Sequence, residues 1–167
     1  MSGDPLADMA VEVTAAFDAP IDEVWALLSD VERMAGLGPE HYAAAWVTTG
    51  PAVGAAFTGW NRNGAMEWDV HCVITACLPP AFVEWTVGTA PEHSSTWSYE
   101  LVPGPGDSTV VTQRFRHGPG FSYVRQRVDQ VPERTQAVID GRCAMLRAGK
   151  EATLAAAAKV LAGDAPA

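Results

Sequence analysis

Between Tyr42 and His117 apolar and polar residues alternate in six successive runs, 42–49, 54–62, 66–77, 81–88, 95–102 and 109–117. Alternation with period two marks a strand that buries one face. The connectors Gly50-Pro51, Asn63-Gly64, Leu78-Pro79-Pro80 and Pro103-Gly-Pro-Gly-Asp107 are short and hold the residue types that hairpin turns need. Six strands joined this tightly predict an antiparallel meander, and everything else in the chain has to pack around it.

The flanks complete the pattern. Residues 9–17, Met-Ala-Val-Glu-Val-Thr-Ala-Ala-Phe, partly alternate and supply a seventh strand. Asp18-Ala-Pro-Ile then turns into a helix in which Pro20 suits the first turn and Asp22 and Glu23 suit the positive end of the dipole. Val24, Leu27 and Leu28 form its apolar stripe, with Trp25 at the edge. A second short helix or turn begins near Ser29-Asp30 and ends before Gly36-Leu-Gly-Pro39. After His117-Gly-Pro-Gly120 an Arg-rich segment, helical in part, runs to Pro132, and a long helix follows from about 132 to 161. On that helix Val138, Met145, Gly149, Ala152 and Ala156 share one stripe, which is expected to face the sheet.

The fold class is therefore α+β: a seven-stranded antiparallel sheet wrapped around a long C-terminal helix, with two short helices after the first strand. One domain is expected over 9–161, with 1–8 and 162–167 as flexible termini. A curved sheet covered by a single long helix closes loosely and leaves a cavity between the two.

Charge and cysteine content exclude several functions. The 167 residues carry a net charge of -9, which argues against general affinity for nucleic acid or anionic membranes. Most of that charge sits in front: residues 1–40 hold nine acids against Arg33 alone. The N-terminus lacks the positive and apolar regions of a secretory signal, so a cytoplasmic location is expected. The longest uncharged stretches, 41–61 and 70–83, are interrupted by Gly or Pro and alternate in polarity, so no membrane span is expected. Cys72, Cys77 and Cys143 are odd in number. Cys72 and Cys77, five apart in a strand, should point to opposite faces, so neither a disulfide framework nor a metal site is expected.

Several phrases of the chain, taken in order, resemble the START-like (SRPBCC) superfamily, which includes the polyketide cyclase/dehydrase and plant pathogenesis-related allergen families. They are Phe17-Asp-Ala-Pro-Ile-Asp-Glu-Val-Trp-Ala-Leu-Leu-Ser-Asp30, Gly54-Ala-Ala-Phe-Thr-Gly59, the strand holding Trp68, Thr96-Trp-Ser-Tyr-Glu-Leu101 and Gly149-Lys-Glu-Ala-Thr-Leu154. The resemblance covers nearly the whole chain. It implies the helix-grip fold, also seen in the Bet v 1-like allergens, and a sheet-helix cavity that takes lipids, sterols, polyketides or hormones. Some members are enzymes and others only bind.

Strand parity selects the residues that face such a cavity. Trp68, Val70, Cys72 and Ile74 share one face opposite Glu67, Asp69 and His71. Val83, Trp85 and Val87 are set against Glu84 and Thr86, and Trp97, Tyr99 and Leu101 against Ser98 and Glu100. Asn61 falls in phase with Phe57 and Gly59. In 109–117 either face could point inward. We take Val111, Gln113, Phe115 and His117 as inward, because the other choice buries Arg114 and Arg116 unpaired. Asn61 and Gln113 are then either ligand contacts or partners within the core, and His117 either a cavity base or a satisfied loop histidine. His41 and His93 lie in loops and are expected at the surface. The arginines at 114, 116, 125, 127, 134 and 147 read as a solvated face. Arg142 lies near the inward stripe and needs a ligand or a carboxylate partner.

Three functions fit this reading. In a cyclase or dehydratase, His117 would act as base or acid, and Tyr99, Asn61 or Gln113 would donate to a developing enolate, without metal or organic cofactor. Trp68, Cys72, Trp85, Trp97, Phe115 and Arg142 would then contact a small hydrophobic, aromatic or polyketide-like ligand. A carrier or sensor needs the same cavity without the acid–base pair. An interaction module would instead use the acidic front against a basic partner. Oligomeric state is left open, a homodimer among the options.

Overall fold

The computed structural model describes residues 3–163. Its strands are β1 (Ala10–Phe17), β2 (His41–Trp46), β3 (Ala56–Asn63), β4 (Met66–Leu78), β5 (Phe82–Val87), β6 (Ser95–Pro103) and β7 (Thr109–His117). They form one antiparallel sheet in the order β1-β7-β6-β5-β4-β3-β2. The six-strand meander is as the alternation predicts. The seventh strand, β1, pairs with β7 from Ala10↔Arg116 to Phe17↔Thr109, which puts β1 and β2 at opposite edges. The chain crosses between those edges through α1 (Ile21–Leu28) and α2 (Val31–Met34). Pro20 precedes α1 at φ -65, and Asp30 caps α2 by accepting from the Glu32 and Arg33 amides.

After β7, α3 (Tyr123–Gln130) and a 3-10 turn at Pro132–Arg134 lead into α4 (Thr135–Leu161). Ser122 caps α3 by accepting from the Arg125 amide. The side chains that α4 buries are Leu146, Lys150, Leu154 and Ala157, spaced four, four and three apart. This differs from the expected stripe. Met145 and Ala152 are exposed, and the helix is turned by about one residue. The reason is Lys150: polarity excludes it from any stripe chosen by hydrophobicity, yet it lies at the centre of the face that meets the sheet.

Two further corrections follow from local geometry. The β4–β5 register shifts between Ile74 and Ala76, so that Ile74 opposes Trp85 and Cys77 opposes Val83. The extra residue restores Cys77 to the face of Cys72, where strict alternation would set them apart. All three cysteines are free thiols. At the N-terminus, where a frayed segment was expected, Leu6 is completely buried and Asp4 pairs with Arg125 at 2.9 Å. Residues 1–2 and 164–167 of the expected flexible termini lie outside the described residues. No described helix is long and apolar enough to cross a membrane.

Candidate functional site

A cavity of about 1040 Å³ lies between the concave face of the sheet and α4. It is at the upper end of the range of small-molecule sites, roughly 300–1,000 Å³. The inward phase chosen for 109–117 is the one observed: Val111, Gln113, Phe115 and His117 are buried, while Arg114 and Arg116 lie on the other face. Cross-strand register then stacks aromatics along the cavity floor, because Trp85 is opposite Trp97 and Trp97 opposite Phe115. The Trp85 and Trp97 rings are nearly parallel, 9° apart with centroids at 6.4 Å. Phe115 meets Trp97 edge-on at 5.0 Å, and Tyr99 lies 5.6 Å from Trp85. The Trp97 ring is held in place by its indole N–H, which donates to Ser95 Oγ at 2.9 Å.

All ten sequence-selected residues lie on this lining: Asn61, Trp68, Cys72, Trp85, Trp97 and Tyr99, then Gln113, Phe115, His117 and Arg142. Their states differ. Arg142 donates to both oxygens of Glu40 at 3.0 and 3.1 Å, so its charge is answered inside the protein. Asn61 is bonded to His41 Nδ1 at 3.2 Å. His41 begins β2 and lines the cavity, contrary to a surface loop position, and burial lowers its pKa. His93 is half-buried, its Nδ1 enclosed without a partner, because Gly118 and Gly120 leave it room.

His117 has both ring nitrogens in use. Nδ1 is 2.7 Å from the Gly118 carbonyl, which can only accept, so Nδ1 carries the proton. Nε2 is 2.7 Å from Ser122 Oγ. Burial is the main cause that lowers the pKa of His117, with the Arg125 charge adding to it, so the imidazole is neutral at pH 7 and Nε2 accepts the Ser122 proton. Ser122 itself lies on the cavity lining.

Deeper in, three polar groups face apolar surroundings without a full set of partners. Gln113 Nε2 donates to Tyr99 Oη at 3.1 Å, which leaves the Tyr99 proton free to donate elsewhere. Burial pushes the Tyr99 phenol well above its usual range, so it stays protonated. Gln113 Oε1 has no partner. Neither has Lys150 Nζ, which lies 4.0 Å above the centre of the Trp97 ring, with the residue 3% exposed. Burial brings Lys150 from 10.5 down to about 7, whereas it lifts the Cys72 thiol to about 12. Buried polar groups are nearly always satisfied, so such a set on one cavity singles it out as the candidate site. Lys150 is the residue that sequence reasoning missed. Its signal was available: one of the chain's two lysines, four residues from Leu146 and from Leu154, on a helix that must cover a sheet.

The mouth combines exposed apolar side chains with the exposed charges of Arg62, Asp69 and Arg127. Met66, Phe121, Tyr123 and Met145 are exposed and border the cavity, and Tyr123 meets Trp68 edge-on at 6.0 Å.

Comparison with known proteins agrees with this architecture. A polyketide-cyclase-like protein of Corynebacterium glutamicum, Cgl2372, is 26% identical, with a TM-score of 0.67 over 92% of this chain and 91% of that one. Ms6760 of Mycobacterium smegmatis is 23% identical, with a TM-score of 0.54 over 86% and 94%. TTHA0849 of Thermus thermophilus is 14% identical, with a TM-score of 0.67 over 93% and 99%, a likeness of fold. No curated protein matches the sequence. The profile of the family described as polyketide cyclase/dehydrase and lipid transport matches residues 8–148, most of the domain from β1 into α4. With that match and the helix-grip architecture, the chain belongs to the polyketide cyclase/dehydrase and lipid transport family.

Proposed function

We propose that the protein binds a flat, largely apolar molecule of aromatic or polyketide-like character between the Trp85–Trp97 floor and α4, and promotes its cyclisation or dehydration. The observation that carries the proposal is the pairing of parallel indole rings with incompletely satisfied polar groups in one cavity. The rings offer flat apolar faces. The Tyr99 hydroxyl donates to a carbonyl oxygen of the ligand and stabilises the enolate that forms as a proton leaves the adjacent carbon. His117 is the base, and it reaches the ligand through the Ser122 hydroxyl: Ser122 Oγ takes the substrate proton as its own passes to Nε2. Asn61 and Arg142, held by His41 and Glu40, shape the wall and take no part in proton transfer.

Ring closure of a poly-β-keto thioester analogue, followed by the absorbance of the aromatic product, tests this. The wild type is expected to accelerate closure, and Tyr99→Phe and Ser122→Ala to slow it about 100-fold, the usual effect of losing one oxyanion donor or one proton-transfer group. Binding measured by tryptophan quenching should survive in both variants. Wild-type rates in both would overturn the catalytic part.

One observation favours a second reading. His117 Nε2 is occupied in the structure and the Ser122 hydroxyl also serves α3, an arrangement that suits a rigid wall. A carrier or sensor would bind the same ligands tightly and leave the thioester analogue unchanged.

A further inference from the structure

The acidic balance of the chain is reversed inside it. Against a net charge of -9 overall, the cavity lining holds four cations, Arg62, Arg127, Arg142 and Lys150, and two carboxylates, Glu40 and Asp69. Glu40 is taken by Arg142, and Asp69, Arg62 and Arg127 are exposed at the rim. Lys150 alone is deep, and nothing in the cavity answers its charge.

We propose that Lys150 is the anchor of the site, and that the ligand it selects carries an anionic oxygen group, a carboxylate being the simplest form. The inference rests on the cavity being a ligand site, as argued above, and adds the chemical class of its occupant. Three observations converge on it. First, Nζ is enclosed, has no hydrogen-bond partner and offers up to three donors. Second, the Trp97 face beneath it, 4.0 Å away, favours the ammonium form, and the Trp97 N–H bond to Ser95 fixes that face. Third, the Tyr99 proton is free on the same floor, a second donor for an oxygen acid.

An anion brought to Lys150 restores the stability of the ammonium. The amine, brought down to about 7 by burial, must then regain its proton when the ligand arrives. Binding above pH 7 is therefore coupled to proton uptake. Other titratable groups on the lining do not confuse this signal at pH 8. His41 and His117, both shifted downward by burial, are neutral there, and Cys72 and Tyr99, both shifted upward, stay protonated. The Glu40–Arg142 pair is held together at 3.0 Å, and Asp69, Arg62 and Arg127 lie out at the rim with α3 and the β3–β4 hairpin. From β1, Glu12 is engaged by Arg114 on the other face of the sheet.

The test is calorimetric titration with 2-naphthoate and its neutral isostere 2-naphthamide, at pH 8 in buffers of different ionisation enthalpy. The wild type should prefer naphthoate at least tenfold and take up close to one proton per ligand bound. Lys150→Met should keep its affinity for naphthamide, lose the preference and take up no proton. Lys150→Arg, which keeps a charge but cannot exchange the proton, should bind naphthoate without uptake. Equal binding of the two probes by the wild type overturns the inference and leaves the hydrophobic-site reading intact, as does a preference unchanged in Lys150→Met. So does borohydride trapping of 2-naphthaldehyde on Lys150 in a protein indifferent to naphthoate, since the lysine would then be a carbonyl site. Binding of neither probe overturns the ligand-site reading, and this inference with it.

Discussion

Lys150→Met protein is expected to be more stable than the wild type near neutral pH, and to lose that advantage as the pH rises. A fall from 10.5 to about 7 sets the cost of burying the ammonium at about 5 kcal/mol. Methionine keeps the contact with Trp97, has a similar length and carries no charge to desolvate. A gain of roughly 2–4 kcal/mol at pH 6 is expected, or about 5–10 °C in Tm for a domain of this size. The pH dependence gives the stronger check. Between pH 7 and 10.5 the unfolded chain holds the Lys150 proton that the folded chain has released, so the stability of the wild type rises with pH through that window. From pH 6 to 9 the gap between the two proteins should narrow by roughly 2–3 kcal/mol. Taking the difference between the two proteins cancels contributions from the buried thiols and phenol. Denaturant unfolding at several pH values measures it, and a gap that does not change with pH would mean that Lys150 is hydrated in the folded state.

The second large effect is on binding. Gly141 lies on the cavity lining in the second turn of α4, and a Cβ built there has no neighbouring atom within 4 Å. Gly141→Ala should therefore raise stability by up to about 1 kcal/mol, the propensity difference in a helix interior. Gly141→Phe places a ring into the space beside Val138 and Met145, and should lower the affinity for 2-naphthol at least tenfold while the helix content by circular dichroism stays unchanged. Undiminished affinity in Gly141→Phe would place the binding site elsewhere on the molecule.

The parts of this structure that were legible beforehand are those governed by a simple period. Alternation located the meander, and the cost of burying Arg114 and Arg116 chose the right face of β7. The same parity brought Trp85, Trp97, Tyr99 and Gln113 to one surface. What escaped depends on interactions that a period does not contain. The irregularity at Ile74 and Ala76 shifts the phase of β4 and returns Cys77 to the face of Cys72, but Val-Ile-Thr-Ala-Cys carries no residue that announces a bulge. Leu6 stands alone among small and acidic residues, so its complete burial leaves no pattern in sequence. The phase error on α4 and the omission of Lys150 are one mistake: hydrophobicity treats a lysine as a solvent marker, whereas an aromatic face can hold its charge inside. His41 escaped because Glu40-His-Tyr reads as a loop, although the strand begins at the histidine.

The central claim is that the sheet-helix cavity is a site for flat apolar ligands, and the indole N–H resonances of the six tryptophans address it directly. Trp68, Trp85 and Trp97 line the cavity, whereas Trp25, Trp46 and Trp60 do not. Titrating 15N-labelled protein with 2-naphthol should shift the first three signals saturably and leave the other three in place. Shifts confined to Trp25, Trp46 or Trp60, or no saturable shift at all, would contradict the account.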